Sequence, residues 1–175
     1  MSFESFPVSS GTLLSNEDYL PFALEQFERA RKRLWVSVFI IDTRVLKDPL
    51  RSVRGLVEHL CRAQWRNVDV RVLVGVSDTV EIHLANTTSA LYLKQRGLAV
   101  RHFHSKQHGS THSKFVLADD LLLVGSHNWT HSAFHGGDED SLAVRAPELA
   151  VGLAREFEQL WAGGVPVVEE GSHAH

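Results

Sequence analysis

Residues 115–118 and 121–124 are two unbroken apolar runs with only Asp119 and Asp120 between them. Two residues cannot carry a chain across a sheet, but they suffice for a tight hairpin. Any fold of this chain must therefore contain an antiparallel pair buried on both faces. The residues flanking the runs, at 111–114 and 125–128, must then meet at the open end of that hairpin.

The rest of the chain alternates helix and strand. Ser15 with Asp18 suggests a helix N-terminus, with Ser15 as N-cap. Leu20, Leu24, Phe27 and Ala30 follow at helical spacing. Residues 34–41 form a dense apolar run, a buried strand. Asp48 and Pro49 have the pattern of an N-cap followed by proline in the first helical turn. Leu50, Val53, Val57, Leu60 and Cys61 would be that helix's core face. Val70, Val72 and Val74 alternate as a strand, residues 85–96 suggest a helix closed by Gly97, and 100–103 a further strand. Beyond the hairpin come a short strand at 142–144 and a last helix opened by Pro147, with Leu149, Leu153, Phe157 and Leu160 inward. Alternation in the first half favours parallel pairing, and the hairpin adds antiparallel strands. The expected fold is α/β: one mixed sheet with helices on both faces. Its 175 residues suit one domain over 15–168, with an N-terminal segment at 1–14 and a disordered tail at 169–175.

Apolar residues make up 43% and charged residues 22%, a balance that sets disorder aside. Cys61 is the single cysteine, so no internal disulfide and no cysteine-rich metal site can form. Residues 1–14 have no basic stretch leading into an apolar one, and no apolar run approaches the ~20 residues of a membrane span. A cytoplasmic setting is the expectation. A net charge of −3 argues against indiscriminate binding of nucleic acid, although eleven histidines would reverse that sign in mild acid.

The chemistry concentrates at the hairpin's open end. His112 and Lys114 are two apart, so on a strand they share a face. The returning strand delivers Gly125, Ser126 and Asn128 beside them. An ammonium, a hydroxyl and an amide are anion donors, and the imidazole is a nucleophile or proton carrier at neutral pH. Gly125 permits close backbone approach.

This pattern resembles the phospholipase D superfamily, whose signature is H-x-K-x4-D followed by G-S-x-N. His112, Lys114 and Asp119 fit the first part, and Gly125, Ser126 and Asn128 the second. The gap between Asp119 and Gly125 is one residue shorter than usual, which a tighter turn accommodates. Asp140 falls where members carry a carboxylate that orients the histidine, with Glu139 the adjacent alternative. The resemblance implies a phospholipase D-like fold and a metal-independent phosphodiesterase needing no cofactor. One His112 would form a covalent phosphohistidine while a second donates to the leaving oxygen. Lys114 and Asn128 would hold the phosphate, Ser126 would be a further catalytic residue of the motif, Asp140 would fix the imidazole tautomer, and Asp119 would be structural. Only one motif is present, so the resemblance further implies a homodimer with two His112 facing each other. A nuclease acting on single-stranded DNA or RNA is the leading expectation. The alternatives are a lipid phosphodiesterase or a silent nucleic-acid-binding subunit.

Other side chains leave two readings open. His102, His104, His108, His127, His131 and His135 crowd the motif. His127 and His131, four apart, would align as zinc ligands if that segment were helical, and otherwise these rings line an entrance or face water. His104, Lys106 and His108 lie in a polar loop leading into the motif, a candidate substrate-binding rim. Arg51, Arg54, Arg62 and Arg66 share the outer face of the helix after Pro49, as a solvated face or a nucleic-acid contact. Trp129, directly after Asn128, reads as a core plug beneath the site.

Overall fold

The computed structural model describes residues 5–105 and 109–168, with backbone alone at 104, 105, 109 and 110. The expected tail at 169–175 lies outside the described residues. In chain order the elements are β1 (Ser10–Ser15), a 3-10 turn (Asn16–Asp18), α1 (Tyr19–Arg29), β2 (Arg33–Val38), α2 (Ser52–Trp65), β3 (Asp69–Gly75), α3 (Val80–Gln95), β4 (Ala99–Ser105), β5 (Gly109–Ser110), β6 (Phe115–Ala118), β7 (Leu121–Gly125), α4 (His131–His135), β8 (Asp140–Arg145), α5 (Pro147–Gly163) and β9 (Val165–Pro166). The sheet order is β1-β8-β7-β6-β2-β3-β4-β5, with β9 also on β4. β2, β3 and β4 are parallel, whereas β6, β7, β8 and β1 run antiparallel. The α/β architecture with a mixed sheet is thus as the alternation implies.

Each face of the sheet has its own core. Leu34, Val36 and Val38 of β2, with Val116 and Leu123, pack under α1, α2 and α3. Trp35, Leu73, Phe115, Leu117 and Leu122 pack under α5, around Phe157. On α2, Leu56, Val57 and Leu60 are fully buried, each stabilising by roughly 2 kcal/mol. Gly97, at φ +80, ends α3 in the left-handed conformation that glycine permits.

Three boundaries differ from the sequence expectation. Residues 10–15 are not a detached segment but the edge strand β1, paired with β8; its polar, weakly alternating composition hides it. Ser15 caps no helix, since its hydroxyl donates to Asp140 Oδ1 at 2.7 Å. Asp48 does cap α2, but Pro49 stays outside it: Asp48 accepts from the N–H of Ser52 at 2.8 Å and of Arg54 at 3.1 Å. Arg51 bridges the gap in a left-handed conformation, φ 57.

Two polar groups fix the frame on which the site stands. Asp119, at φ 56 in the β6–β7 turn, accepts from the N–H groups of Arg31, Lys32 and Arg33 at 2.8–3.1 Å. Burial alone would raise its carboxyl, but those three N–H donors and the charge of Arg33 bring it below its ordinary value. At the opposite end, buried Asn86 of α3 donates to the carbonyls of Phe39 and Gly75, both at 2.8 Å, and accepts from Ile41 N–H at 3.0 Å. Ser89, one turn on, accepts from Thr43 N–H and donates to Ile41 O. The segment leaving β2 has no strand partner for these groups, and α3 supplies them.

Two outcomes follow from this frame. Asn86→Ala strands three backbone groups and should cost about 3 kcal/mol, a fall in Tm of roughly 10 °C by calorimetry. Asp119→Ala should cost about 2 kcal/mol at neutral pH. The folded carboxyl holds its proton more weakly than the unfolded one, so Asp119's contribution is full above its ordinary value of 3.8 and fades as pH falls through the folded value. The Tm gap between the parent and Asp119→Ala should close below about pH 4, and a gap constant with pH would contradict the assignment.

Candidate active site

The site forms where the C-terminal ends of the parallel strands meet the open end of the hairpin. β6 pairs antiparallel with β2, Ser37 opposite Phe115. Residues 112–114, just before β6, therefore lie beside Phe39 and Ile40, just after β2. The His112 ring stacks on Phe39 with centroids 4.4 Å apart, and Lys114 Nζ stands 5.3 Å over the same ring. Asn128 is held from the other side, its Oδ1 accepting from Ile40 N–H at 3.1 Å. A backbone N–H can only donate, so this contact fixes the amide's orientation and leaves Nδ2 as the donor end. Phe39 and Ile40 thus join the two halves of the motif.

Lys114 Nζ donates to His112 O at 2.9 Å and lies 3.2 Å from His112 Nδ1. An ammonium only donates, so Nδ1 is an acceptor in this arrangement and the ring proton resides on Nε2. Burial lowers the Lys114 pKa below the usual lysine range, and the charge of Glu139 opposes that shift.

The carboxylates are not arranged as the sequence expectation had them. Asp140 is the first residue of β8, and in a strand it shares a face with Leu142. Its carboxylate accepts from the Ser15 hydroxyl at 2.7 Å, and among the described residues no hydrogen bond joins it to the His112 ring. Glu139 precedes the strand, clasped by Asn16, which accepts from Glu139 N–H at 2.9 Å and donates to Glu139 O at 2.8 Å. It is Glu139 whose charge is felt by both Lys114 and His127. Ser126 also differs from its expected part as an anion donor. Its hydroxyl accepts from Asp140 N–H at 3.0 Å and donates to Asp140 O at 3.3 Å, pinning the start of β8. Gly125 lies so close to that strand that a Cβ would collide with Ser141 Oγ and Asp140 O.

The remaining histidines separate. His127 is buried and stacks on Tyr19 at 4.5 Å. Its Nε2 donates to Asn16 O at 3.1 Å, so Nδ1 accepts from Ser141 Oγ at 2.8 Å. Burial lowers its pKa, partly offset by the Asn16 carbonyl and the charges of Glu139 and Asp140. His127 and His131 are not aligned; the helical pair is His131 with His135, 4.8 Å between rings, and His135 Nε2 meets Ser52 Oγ at 2.7 Å. Among the described residues, no three of His, Cys, Asp or Glu converge as metal ligands. Trp129 is a core plug, its indole N–H donating to Tyr19 Oη at 3.3 Å. Of the candidate rim, Lys106 and His108 lie outside the described residues, as does the His104 side chain.

The residues that sequence reasoning missed are Phe39, Asn86 and Asn16. None has a chemical signature of its own. Each matters because a backbone group or ring face at the site needs a partner.

Comparison with known proteins places this arrangement. The family model for the cardiolipin synthase, PLD-like domain matches residues 23–161. A mitochondrial cardiolipin hydrolase of Chlamydomonas reinhardtii is 33% identical over 139 residues, 79% of this chain and 55% of that protein. One from Xenopus tropicalis is 37% identical over 135 residues, 76% of this chain and 56% of that protein. The chain spans about half the length of these curated relatives. Among solved structures, the phospholipase D family member Nuc from Salmonella typhimurium superimposes with a TM-score of 0.71 at 16% identity, covering 91% of this chain and 100% of that one. NucT from Helicobacter pylori gives 0.70 at 15% identity, covering 90% and 98%. These last two likenesses are of fold. With the family model spanning most of the chain and the signature residues gathered at one end of the sheet, the chain belongs to the phospholipase D superfamily.

Proposed function

We propose that this chain is a phosphodiesterase that works as a homodimer, with nucleic acid as its leading substrate class. The observation that carries this reading is that the site holds one imidazole, one ammonium and one amide around Phe39 and Ile40, half of what a two-histidine displacement needs. In the resting arrangement Lys114 occupies Nδ1 of His112. An incoming phosphodiester offers Lys114 stronger acceptors, frees Nδ1 to take the ring proton and exposes the Nε2 lone pair. That nitrogen attacks phosphorus as the P–O bond to the leaving group breaks. The second subunit's imidazolium gives its proton to the leaving oxygen. Water then cleaves the P–N bond and returns a proton to that imidazole. Lys114 and the Nδ2 of Asn128 stabilise the equatorial oxygens, so the reaction needs no metal ion. Glu139, not Asp140, is the carboxylate that balances this charge.

A surface suited to the second copy adjoins the site. Val124 pairs with Leu142 and Leu142 with Leu13, and residues opposite one another share a face. All three are exposed, on the α5 side of the sheet beyond the reach of α5. Such a row beside Gly125 and Ser126 is apolar surface that a two-fold partner would bury.

A lipid substrate is favoured by one specific observation. The segment between β2 and α2 presents Val45, Leu46 and Leu50 to solvent, Leu46 at 93% exposure; Leu50 precedes α2 and is therefore not on that helix's core face, as its spacing had suggested. That segment borders a cavity of about 400 Å³ lined also by Ile40, Thr130 and His131, next to Asn128.

His112→Ala should lower hydrolysis of bis(p-nitrophenyl) phosphate by at least about 10³-fold without changing Tm, and the parent should retain activity in EDTA. Loss in EDTA with rescue by Mg²⁺ or Zn²⁺ would overturn the metal-independent reading. Light scattering should give twice 19.6 kDa. Leu142→Glu should shift the protein to monomer and make activity per chain rise with protein concentration. A fully active monomer would exclude the two-histidine mechanism. Cleavage of single-stranded oligonucleotides rather than cardiolipin vesicles decides the substrate, and the reverse outcome selects the lipid.

A further inference from the structure

The α2–α3 face carries a feature that the catalytic site does not use. α2 ends at Trp65, whose indole is 79% exposed although every other apolar side chain of α2 among Val53, Leu56, Val57, Leu60 and Cys61 is buried. Beside it is a cleft of about 440 Å³ lined by Glu58, Cys61, Arg62, Trp65 and Arg96, a volume in the range of small-ligand sites. Arg96 lies flat over Tyr92, 3.7 Å from guanidinium to ring centroid, and meets no carboxylate among the described residues. Further along, Arg54 covers the same ring from 4.9 Å.

The charge of this face is opposite to that of the chain. Five arginines, at 51, 54, 62, 66 and 96, stand against Glu28 and Glu58, an excess of three positive charges on a protein whose net charge is −3. The acids do not cancel them. Glu58 is held by Arg51 at 2.9 Å, and Glu28 is shared by Arg66 at 3.1 Å, Arg62 at 3.6 Å and His59 at 3.5 Å. Exposed pairs of this kind are weak and exchange readily for a phosphate. α2 itself spans the distance to the chemistry: it starts at Ser52, whose hydroxyl meets Nε2 of His135 on α4, the short helix that follows Asn128.

We propose that the α2–α3 face is a binding surface for single-stranded nucleic acid, with guanidinium groups on the phosphates and a base stacked on Trp65. Guanidinium groups and exposed aromatic rings together form the usual grip on a flexible strand. A bilayer would ask for a broad apolar face on α2, and α2 offers one indole amid charged groups. The inference rests on the nucleic-acid reading of the active site, and it extends that reading to where the strand is held.

The test uses the full chain carrying His112→Ala, so that the probe survives, and a fluorescein-labelled 20-nucleotide oligo(dT) read by anisotropy. Arg62→Glu with Arg96→Glu should weaken binding more than tenfold and flatten the dependence of log affinity on log salt by more than one. Trp65→Ala should weaken binding about tenfold and leave the salt slope as it was. In the background with His112 intact, the same substitutions should leave hydrolysis of bis(p-nitrophenyl) phosphate unchanged. That measurement separates the two ideas, because a chain that hydrolyses the small diester but whose oligonucleotide affinity ignores these substitutions has its active site as proposed and no such surface. Absence of oligonucleotide binding altogether overturns the surface as well. Binding of cardiolipin-containing vesicles that depends on Trp65, with oligonucleotides unbound, assigns the face to lipid and also overturns it. Should Arg96→Glu lower Tm by loosening Tyr92, Arg62→Glu with Trp65→Ala decides the matter from exposed positions alone.

Discussion

The antiparallel pairing of β6 with β2 is the constraint on which the rest of the structure depends. Four residue pairs, from Leu34 with Ala118 to Ser37 with Phe115, join the parallel half of the sheet to the antiparallel half. A slip of one residue would turn Phe115 and Leu117 from the α5 core to the α2 core and carry His112 away from Phe39. Asp119 prevents that slip. Its carboxylate gathers three consecutive N–H groups at the entry to β2, so the hairpin turn is bound to the strand whose register it must match. An aspartate in the site's sequence signature acts at the end of the hairpin farthest from the chemistry.

At the chemical end the same problem is solved by buried polar side chains. The backbone leaving β2 keeps only a single bridge to another segment, Ile41 with Trp129, and its remaining N–H and C=O groups must still be paired. Asn86 and Ser89 supply that from α3, and Asn128 supplies it from the hairpin side. On the other flank, Asn16 does the same for Glu139 at the start of β8, and His127 pairs the Asn16 carbonyl in turn. The two desolvated groups then differ in kind. Lys114 is partly desolvated, which favours giving its hydrogen bonds to an incoming anion, whereas His127 is desolvated within hydrogen bonds already made.

What the sequence revealed and what it hid divide along that line. The hairpin, the parallel half, the convergence of His112, Lys114 and Asn128, the buried Trp129 and the structural place of Asp119 were legible because apolar period and side-chain type both speak at those positions. β1 was not, since an edge strand with Ser10, Gly11 and Thr12 has little apolar pattern. Ser15 looked like a helix cap because serine serves caps and cross-strand bonds alike. Asp140 and Glu139 are one residue apart, and only the exact start of β8 decides which carboxylate faces Lys114. Asn86 was invisible because its role depends on three backbone groups distant in sequence.

On the proposed reading the motif would recognise a phosphodiester and nothing more. A ring, an ammonium and an amide within reach of one phosphorus say nothing about whether bases or acyl chains lie on either side of it. Specificity would then be built from surface outside the motif, and among the described residues two surfaces of unlike chemistry are candidates. One is the aliphatic segment around Leu46, beside the cavity at Ile40; the other is the arginine-rich face that ends at Trp65. They differ in what they ask of a substrate. The first rewards removal of apolar surface from water and is indifferent to salt, and the second rewards a row of phosphates and weakens as salt rises. The salt dependence of substrate binding at constant catalytic chemistry is consequently the physical quantity that would distinguish the two surfaces.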